Sequence, residues 1–292
     1  MNGKLGRTVI VYDVGGSHIS AAVCREPDYE LGTIRRAQLP VEETVKAFVG
    51  VLQSLAGQVA ADTNSMAGAS LAMPGPFDYA RGISFMQHKL PYLFGRDLRQ
   101  AFADSLEWVP DQIKFLNDAA AYMLGEIGAG AAKDFSRVVV LTLGTGVGSG
   151  FAIDGTVQTE GEGVPPGGEI WNVPYEGGIV EDQISTRALQ KSYRDRTGNR
   201  AEVAAIAAAA TTEKAAAEVF AEFGHTLGKA IKALLTDFAP DVVVLGGGIA
   251  RSAKLFLPEA QSELAGLGMD LRVAKLDESA PLVGAGVHWL RG

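Results

Sequence analysis

The chain has 292 residues, of which 47% are apolar, enough to bury a substantial core and to favour two lobes over one. Its net charge of −8, with no dense basic run, argues against a nucleic-acid surface, and no apolar run reaches the roughly 18 residues a membrane span needs. Cys24 is the single cysteine, which excludes an internal disulfide and a cysteine-rich zinc site. The first residues, MNGKLGRTVIVYD, enter a strand after a few polar positions, leaving no apolar core for a signal peptide and no room for a helix-turn-helix domain. These features together predict a soluble cytoplasmic protein.

In chain order, Val9 to Tyr12 and Ile19 to Val23 are apolar runs flanking Asp13-Val14-Gly15-Gly16-Ser17-His18, and they read as a hairpin. Gly15 and Gly16 let a ligand oxygen approach the main chain, and a row of backbone N–H groups there suits a phosphate. Asp13 is placed to hold water around a magnesium ion. An ordinary tight hairpin fits this segment alone equally well.

Pro40 to Asp62 carries Val41, Val45, Phe48, Val49, Leu52, Leu55 and Val59, an apolar stripe along one predicted helix. Ala67 to Ala72 reads as a buried strand ending at Met73-Pro74-Gly75-Pro76, a stiff loop where ligand loops of open α/β sheets sit, although a structural turn fits the residue types too. Asp97 to Ser105 is a predicted helix and Gln112 to Leu116 a strand. Asn117-Asp118 then opens an alanine-rich helix. Either residue suits a helix cap, and Asn117 can cap while the Asp118 carboxylate faces a cleft.

Ser136 to Asp154 echoes the opening stretch. Laying Val11 on Val140 puts Asp13 on Thr142, Gly15 on Gly144 and Gly16 on Thr145. Two glycine-rich hairpins, each heading a similar half, point to duplicated lobes gripping a nucleotide from both sides. Gly161 to Ser185 is too rich in glycine and proline for regular structure. Of its acids, Glu176 reads as solvated, whereas Glu169 and Glu181 suit paired sugar hydroxyls. Ala201 to Phe238 is predicted helical, with Phe220, Phe223, Leu227, Ala230, Ile231, Leu234 and Leu235 on one stripe and His225 as an ordinary helix residue. The strand Asp241 to Leu245 leads into Gly246-Gly247-Gly248, where a flat ring or a phosphate can touch backbone, or a helix can pack closely on the strand. Ala280 to Leu290 is predicted to form a closing helix that returns to the first lobe.

With both hairpins, Asn117-Asp118 and the late glycines in place, nearly the whole chain resembles a bacterial sugar kinase of the ROK family, glucokinase-like, within the sugar kinase, heat-shock chaperone and actin superfamily. The resemblance implies an α/β fold of two ribonuclease H-like lobes, the actin-like ATPase fold, with ATP in an interlobe cleft. Residues 1–117 with 280–292 would form the N-terminal lobe and 118–279 the C-terminal one. Asp13, Gly15, Gly16 and Ser17 match the first phosphate motif, with Ser17 where threonine is usual. Gly144, Thr145 and Gly146 match the second, and Gly246, Gly247 and Gly248 the adenosine motif. Asp118 matches the catalytic base, Asn117 its sugar-binding neighbour, and Glu169 and Glu181 the substrate glutamates, with Gly75 in the Pro74-to-Pro76 ligand loop.

Departures from the family pattern fall in the sugar pocket. Trp171 replaces a glycine and Asn172 a histidine, and that histidine with a cysteine cluster binds zinc in many members, so no zinc is expected here. Trp171 either stacks on a sugar face or fills space the usual hexose would occupy. Where relatives carry a proline-asparagine sugar contact, Met86 to Pro91 stands; Gln87 and His88 are candidates, and a plain solvated loop is the favoured reading. The implied reaction is ATP- and magnesium-dependent phosphorylation of a hexose or amino-hexose hydroxyl. A non-catalytic sugar- or nucleotide-binding protein is the alternative, a DNA-binding regulator is disfavoured, and polyphosphate is an alternative donor. Members of the family are often dimers, which leaves a homodimer open.

Overall fold

The structure, a computed structural model, describes residues 6–291. They divide into two compact units, one running to Gly130 and resuming at Glu278, the other spanning Ala131–Asp277.

In the first unit, β1 (Thr8–Val14) and β2 (His18–Arg25) form the opening hairpin, with Asp13 opposite Ser20 and Val14 opposite Ile19. Short strands β3 (Glu30–Leu31) and β4 (Arg35–Gln38) add to the far edge of β2. Helix α1 (Val45–Val59) then crosses to β5 (Ala69–Met73), parallel to β1. A small hairpin of β6 (Phe77–Asp78) and β7 (Ile83–Ser84), helix α2 (Leu98–Leu106) and strand β8 (Ile113–Asn117), parallel to β5, complete the sheet. Its order is β3-β2-β1-β5-β8.

The predicted α1 stripe holds from Phe48 through Leu55, all buried. Val41 does not belong to it: the Thr44 hydroxyl accepts the Ala47 N–H and starts the helix there, leaving Val41 99% exposed in the preceding loop. Tyr12 fastens sheet to helices, its ring edge-on to Phe102 of α2 and its hydroxyl donating to the Leu52 carbonyl at 3.1 Å.

Helix α3 (Asp118–Ala129) belongs to this first unit, so the boundary falls at Gly130 and not after Asn117. The reason is its packing against α9 (Ala280–Arg291), the closing helix. A Cβ on Gly125 would overlap the Ala280 carbonyl, and one on Gly284 the Ala121 carbonyl. Glycine at both points lets the two helix backbones touch.

The second unit repeats the plan. Strands β9 (Arg137–Leu143) and β10 (Val147–Ile153) form a hairpin edged by β11 (Thr156–Gln158). The segment expected to lack regular structure carries a tight hairpin, β12 (Pro174–Tyr175) and β13 (Gly178–Ile179), followed by the short helix α4 (Val180–Ile184). Asp182 accepts the Ile179 N–H and closes that first turn. Helices α5 (Thr186–Thr197), α6 (Val203–Ala209) and α7 (Lys214–Leu235) lead to β14 (Val242–Gly246), then α8 (Leu257–Glu263) and β15 (Asp270–Val273). The order is β11-β10-β9-β14-β15, with β9, β14 and β15 parallel. Phe220, Phe223, Leu227, Ala230, Ile231 and Leu235 bury one face of α7, while His225 lies outward and pairs with Glu263 at 2.9 Å.

Candidate active site

Parallel strands present their carboxyl ends together, and open α/β sheets place ligands there. In the first unit, β1, β5 and β8 therefore bring the Asp13-to-Ser17 turn, the Pro74-to-Pro76 loop and Asn117-Asp118 to one edge. The Gly15 N–H donates to the His18 carbonyl at 3.0 Å and sets the turn. Gly16 is exposed, and a Cβ there would meet nothing within 4 Å, so its backbone is open to a ligand. Ser17 is also exposed, its hydroxyl 3.2 Å from His18 Nδ1.

Asn117 is the N-cap of α3. Its Oδ1 accepts the N–H groups of Ala119 at 2.9 Å and Ala120 at 3.1 Å. Its Nδ2 donates to the Tyr79 hydroxyl at 3.1 Å, and that hydroxyl donates to the Met73 carbonyl at 3.2 Å. This chain of bonds pins the side chain. Asp118 is the first helical residue, half-buried, with Oδ1 accepting the Ala119 N–H at 2.9 Å.

The two aspartates influence each other. Burial first, and then the Asp118 charge, push the Asp13 carboxyl up from 3.8 to about 6, against the opposing pull of His18 and Arg36. Burial also raises the Asp118 carboxyl, opposed by the Ala119 N–H, the Lys89 charge and Asn117. Two desolvated carboxylates in electrostatic reach of each other suit a hard divalent cation in their neighbourhood, so an oxygen-ligated magnesium fits the residues present.

In the second unit, the ends of β9 and β14 adjoin, with Thr142 paired to Gly246. That register sets the Gly144-Thr145-Gly146 turn beside Gly246-Gly247-Gly248. The Gly144 N–H donates to the Gly146 carbonyl at 3.0 Å, which makes this turn one residue shorter than its counterpart in β1–β2. Gly247 has φ +84°, and a Cβ there would stand 2.5 Å from the Leu143 carbonyl oxygen, so it serves close packing. Gly248 is exposed with nothing around its Cβ position.

Glu169, Trp171 and Glu181 are joined in one network. The Ser149 hydroxyl donates to the Gly168 carbonyl at 2.6 Å and accepts the Ile170 N–H at 3.0 Å, tying the loop to β10. Trp171 Nε1–H donates to Glu169 Oε2 at 2.9 Å, and the Trp171 carbonyl accepts the Glu181 N–H at 3.0 Å. Glu181 Oε2 accepts the Val147 N–H at 3.2 Å, directly after the glycine turn, and Oε1 takes Arg187 Nη2 at 2.8 Å. Asn172 and Glu176 are exposed. Arg187 also opens a groove of about 630 Å³ with Gln190, Lys191, Arg194, Arg200 and Glu202.

Tyr79, Lys89 and Arg187 were not identified as site residues from sequence. Tyr79 follows the Pro-Gly-Pro loop without any periodic signal, and Arg187 reads as one charge among several on α5. Cys24 is buried, and among the described residues no group of three or more His, Cys, Asp or Glu side chains is placed to hold a metal ion. No described helix is long and apolar enough to cross a membrane.

The ROK family profile matches residues 9–291. The chain belongs to the ROK family. It is 24% identical over 272 residues to the glucokinase of Thermotoga maritima, covering 85% of this chain and 84% of that protein. It is 27% identical over 260 residues to the N-acetyl-D-glucosamine kinase of Vibrio parahaemolyticus, covering 82% and 83%. The ROK family glucokinase of Streptomyces griseus, solved with glucose and AMPPNP, superposes with a TM-score of 0.72 at 21% identity, covering 98% of this chain and all of that one (100%). The fold of this ROK protein is thus the actin-like ATPase fold of the sugar kinases.

Proposed function

We propose that this ROK protein transfers the γ-phosphoryl group of ATP to a hydroxyl of a hexose or amino-hexose. The observation that carries the reading is Asp118: a half-buried carboxylate opening α3, held by a backbone N–H, at the strand edge that also carries the glycine turn left open at Gly16. In the reaction, Asp118 accepts the hydroxyl proton while the sugar oxygen attacks phosphorus and the bond to ADP breaks. Asn117, Glu169, Asn172, Glu181 and the Gly75 loop orient the sugar. Asn117 and Glu181 enter with their side chains already positioned, which favours orientation over adaptation.

Backbone N–H groups of the Asp13-to-Ser17 and Gly144-to-Gly146 turns cradle the phosphates, and Gly246 to Gly248 take the adenosine. Asp13 would hold magnesium through water or phosphate, and the ion would offset the phosphate charge. No zinc is part of the site, and a purified sample is expected to contain none by metal analysis. Since ATP is the donor, the reading carries a cytoplasmic location.

A second reading, a sugar or nucleotide sensor without turnover, draws support from Glu169 and Glu181, whose carboxylates are both already engaged by side chains of this chain. Magnesium-dependent ADP release measured across hexoses, amino sugars and their N-acetyl forms separates the two. Release with at least one sugar supports the kinase. Sugar binding by calorimetry with no release across the panel, using ATP or polyphosphate, supports the sensor.

A further inference from the structure

We infer that Trp171 is a positioning and specificity residue, whose indole N–H aims the Glu169 carboxylate at the sugar; this rests on the sugar-binding part of the reading above. Glu169 is exposed, and a free glutamate on a loop samples many rotamers, whose loss on binding has an entropic cost. Its side-chain partner is Trp171 Nε1–H, 2.9 Å from Oε2. An indole nitrogen only donates, so the bond occupies Oε2 and leaves Oε1 to accept from a ligand.

Trp171 is itself held. Its carbonyl takes the Glu181 N–H at 3.0 Å, and its neighbour Ile170 is buried in the core, with its N–H on Ser149. The Glu181 carboxylate is engaged at both oxygens by Val147 and Arg187. Among the described residues, Glu169 Oε1 is therefore the open acceptor of this network, set in place by a tryptophan that remains 39% exposed. An oriented acceptor beside an exposed aromatic surface suits a pyranose, which offers a hydroxyl to the one and a C–H face to the other. The tryptophan thus supplies an orientation that would otherwise have to come from the ligand.

The test uses the full chain carrying Trp171→Phe, which keeps an aromatic ring and removes the N–H, beside Trp171→Gly and Glu169→Gln. Trp171→Phe is expected to raise the sugar KM and the calorimetric Kd by about 5–20-fold, as for loss of a hydrogen bond to a charged group on a partly exposed site. The ATP KM should stay unchanged and kcat should stay within about twofold. In a Glu169→Gln background, Trp171→Phe should add less than about twofold, since the coupled partner is already altered. Retained thermal melting of each variant separates these effects from unfolding.

An unchanged sugar KM and Kd in Trp171→Phe overturns the inference, as does full additivity with Glu169→Gln. Affinity lost only in Trp171→Gly overturns it too, because that result assigns the ring a space-filling role. If wild type binds sugar without phosphorylating it while Trp171→Phe weakens that binding, the inference stands and the kinase reading falls. If wild type turns sugar over with the KM indifferent to Trp171, the kinase reading stands and the inference falls. Wild type that neither binds nor phosphorylates any sugar of the panel overturns both.

Discussion

The β1–β2 turn and the β9–β10 turn occupy equivalent places in two sheets of the same order, yet their charges are arranged differently. In the first, the acid is part of the strand itself: Asp13 sits on β1, half-buried, and its carboxyl is pushed up to about 6. In the second, the equivalent strand position is Thr142, and the acid is brought in from α4: Glu181 reaches the Val147 N–H and carries Arg187 as its counter-charge. A duplicated scaffold has thus kept its glycine turns and exchanged its charges. On the proposed reading, the first turn would take a cation near phosphate. The acid at the second is already paired with its own arginine, so on the same reading that turn would hold phosphate through backbone N–H groups.

The largest expected effect lies on the first unit's side. Asp118→Asn keeps the half-buried shape and the contact with Ala119 but removes the proton acceptor. Sugar-dependent ADP release should fall by about 10²–10⁴-fold, while ATP binding and thermal melting persist. Turnover within tenfold of wild type would take Asp118 out of the mechanism. No loss of that size is expected from any change at Glu181 that leaves the fold intact.

Next come the glycines, where the late triple glycine and the first turn part company. Gly247→Ala must accept φ +84° and a Cβ against the Leu143 backbone, so it should cost about 2–4 kcal/mol in urea unfolding. Gly16→Ala meets nothing within 4 Å, and its cost in stability should lie within about 0.5 kcal/mol. Its effect should fall on the ATP KM instead. Equal destabilisation by the two substitutions would break the assignment of Gly247 to packing and Gly16 to the ligand.

Asp13→Asn probes the same turn through pH. A carboxyl raised from 3.8 to about 6 in the folded state holds its proton through that window while the unfolded chain has already released it. The native state then binds more protons, so stability from this group declines as pH rises from about 4 to about 6. The sign is opposite to that of a salt-bridged aspartate. Without magnesium, Asp13→Asn should match wild type near pH 3.5 and exceed it by about 1–3 kcal/mol at pH 7, at about 1.4 kcal/mol per unit. A variant less stable than wild type at pH 7 would show that Asp13 has a compensating partner.

Much of this was legible because the residues themselves dictate it. Apolar runs around Gly15-Gly16 and Gly144-Thr145-Gly146 can do little but form hairpins, Asn117 is a strong cap, and the α7 stripe keeps one period from Phe220 to Leu235. Val41 fitted that kind of period and was misplaced, since spacing alone does not reveal that Thr44 starts the helix. The unit to which α3 belongs was hidden as well, because Gly125 and Gly284 meet only after residues far apart in the chain come together. The Trp171–Glu169 bond spans two positions of an irregular loop, where no periodicity says which side chains face each other. The Tyr79 bridge between Asn117 and Met73 was hidden for the same reason.

The smallest expected effect tests the neutralised turn directly. Arg187 is 67% exposed and Glu181 21%, so their pair should contribute at most about 1 kcal/mol to stability, less in high salt. Arg187→Ala should therefore melt nearly as wild type does. It leaves an uncompensated carboxylate beside Gly146, however, and a negative charge near bound phosphate should weaken ATP binding by about two- to fivefold at low salt. Removing both charges in Arg187→Ala with Glu181→Ala should recover most of that donor affinity, while sugar affinity, if Glu181 orients the sugar, should not recover. Should the double variant bind ATP no better than Arg187→Ala, Arg187 would be acting on phosphate itself and not through Glu181. The two turns would then differ in which residue meets the ligand, beyond how their acids are balanced.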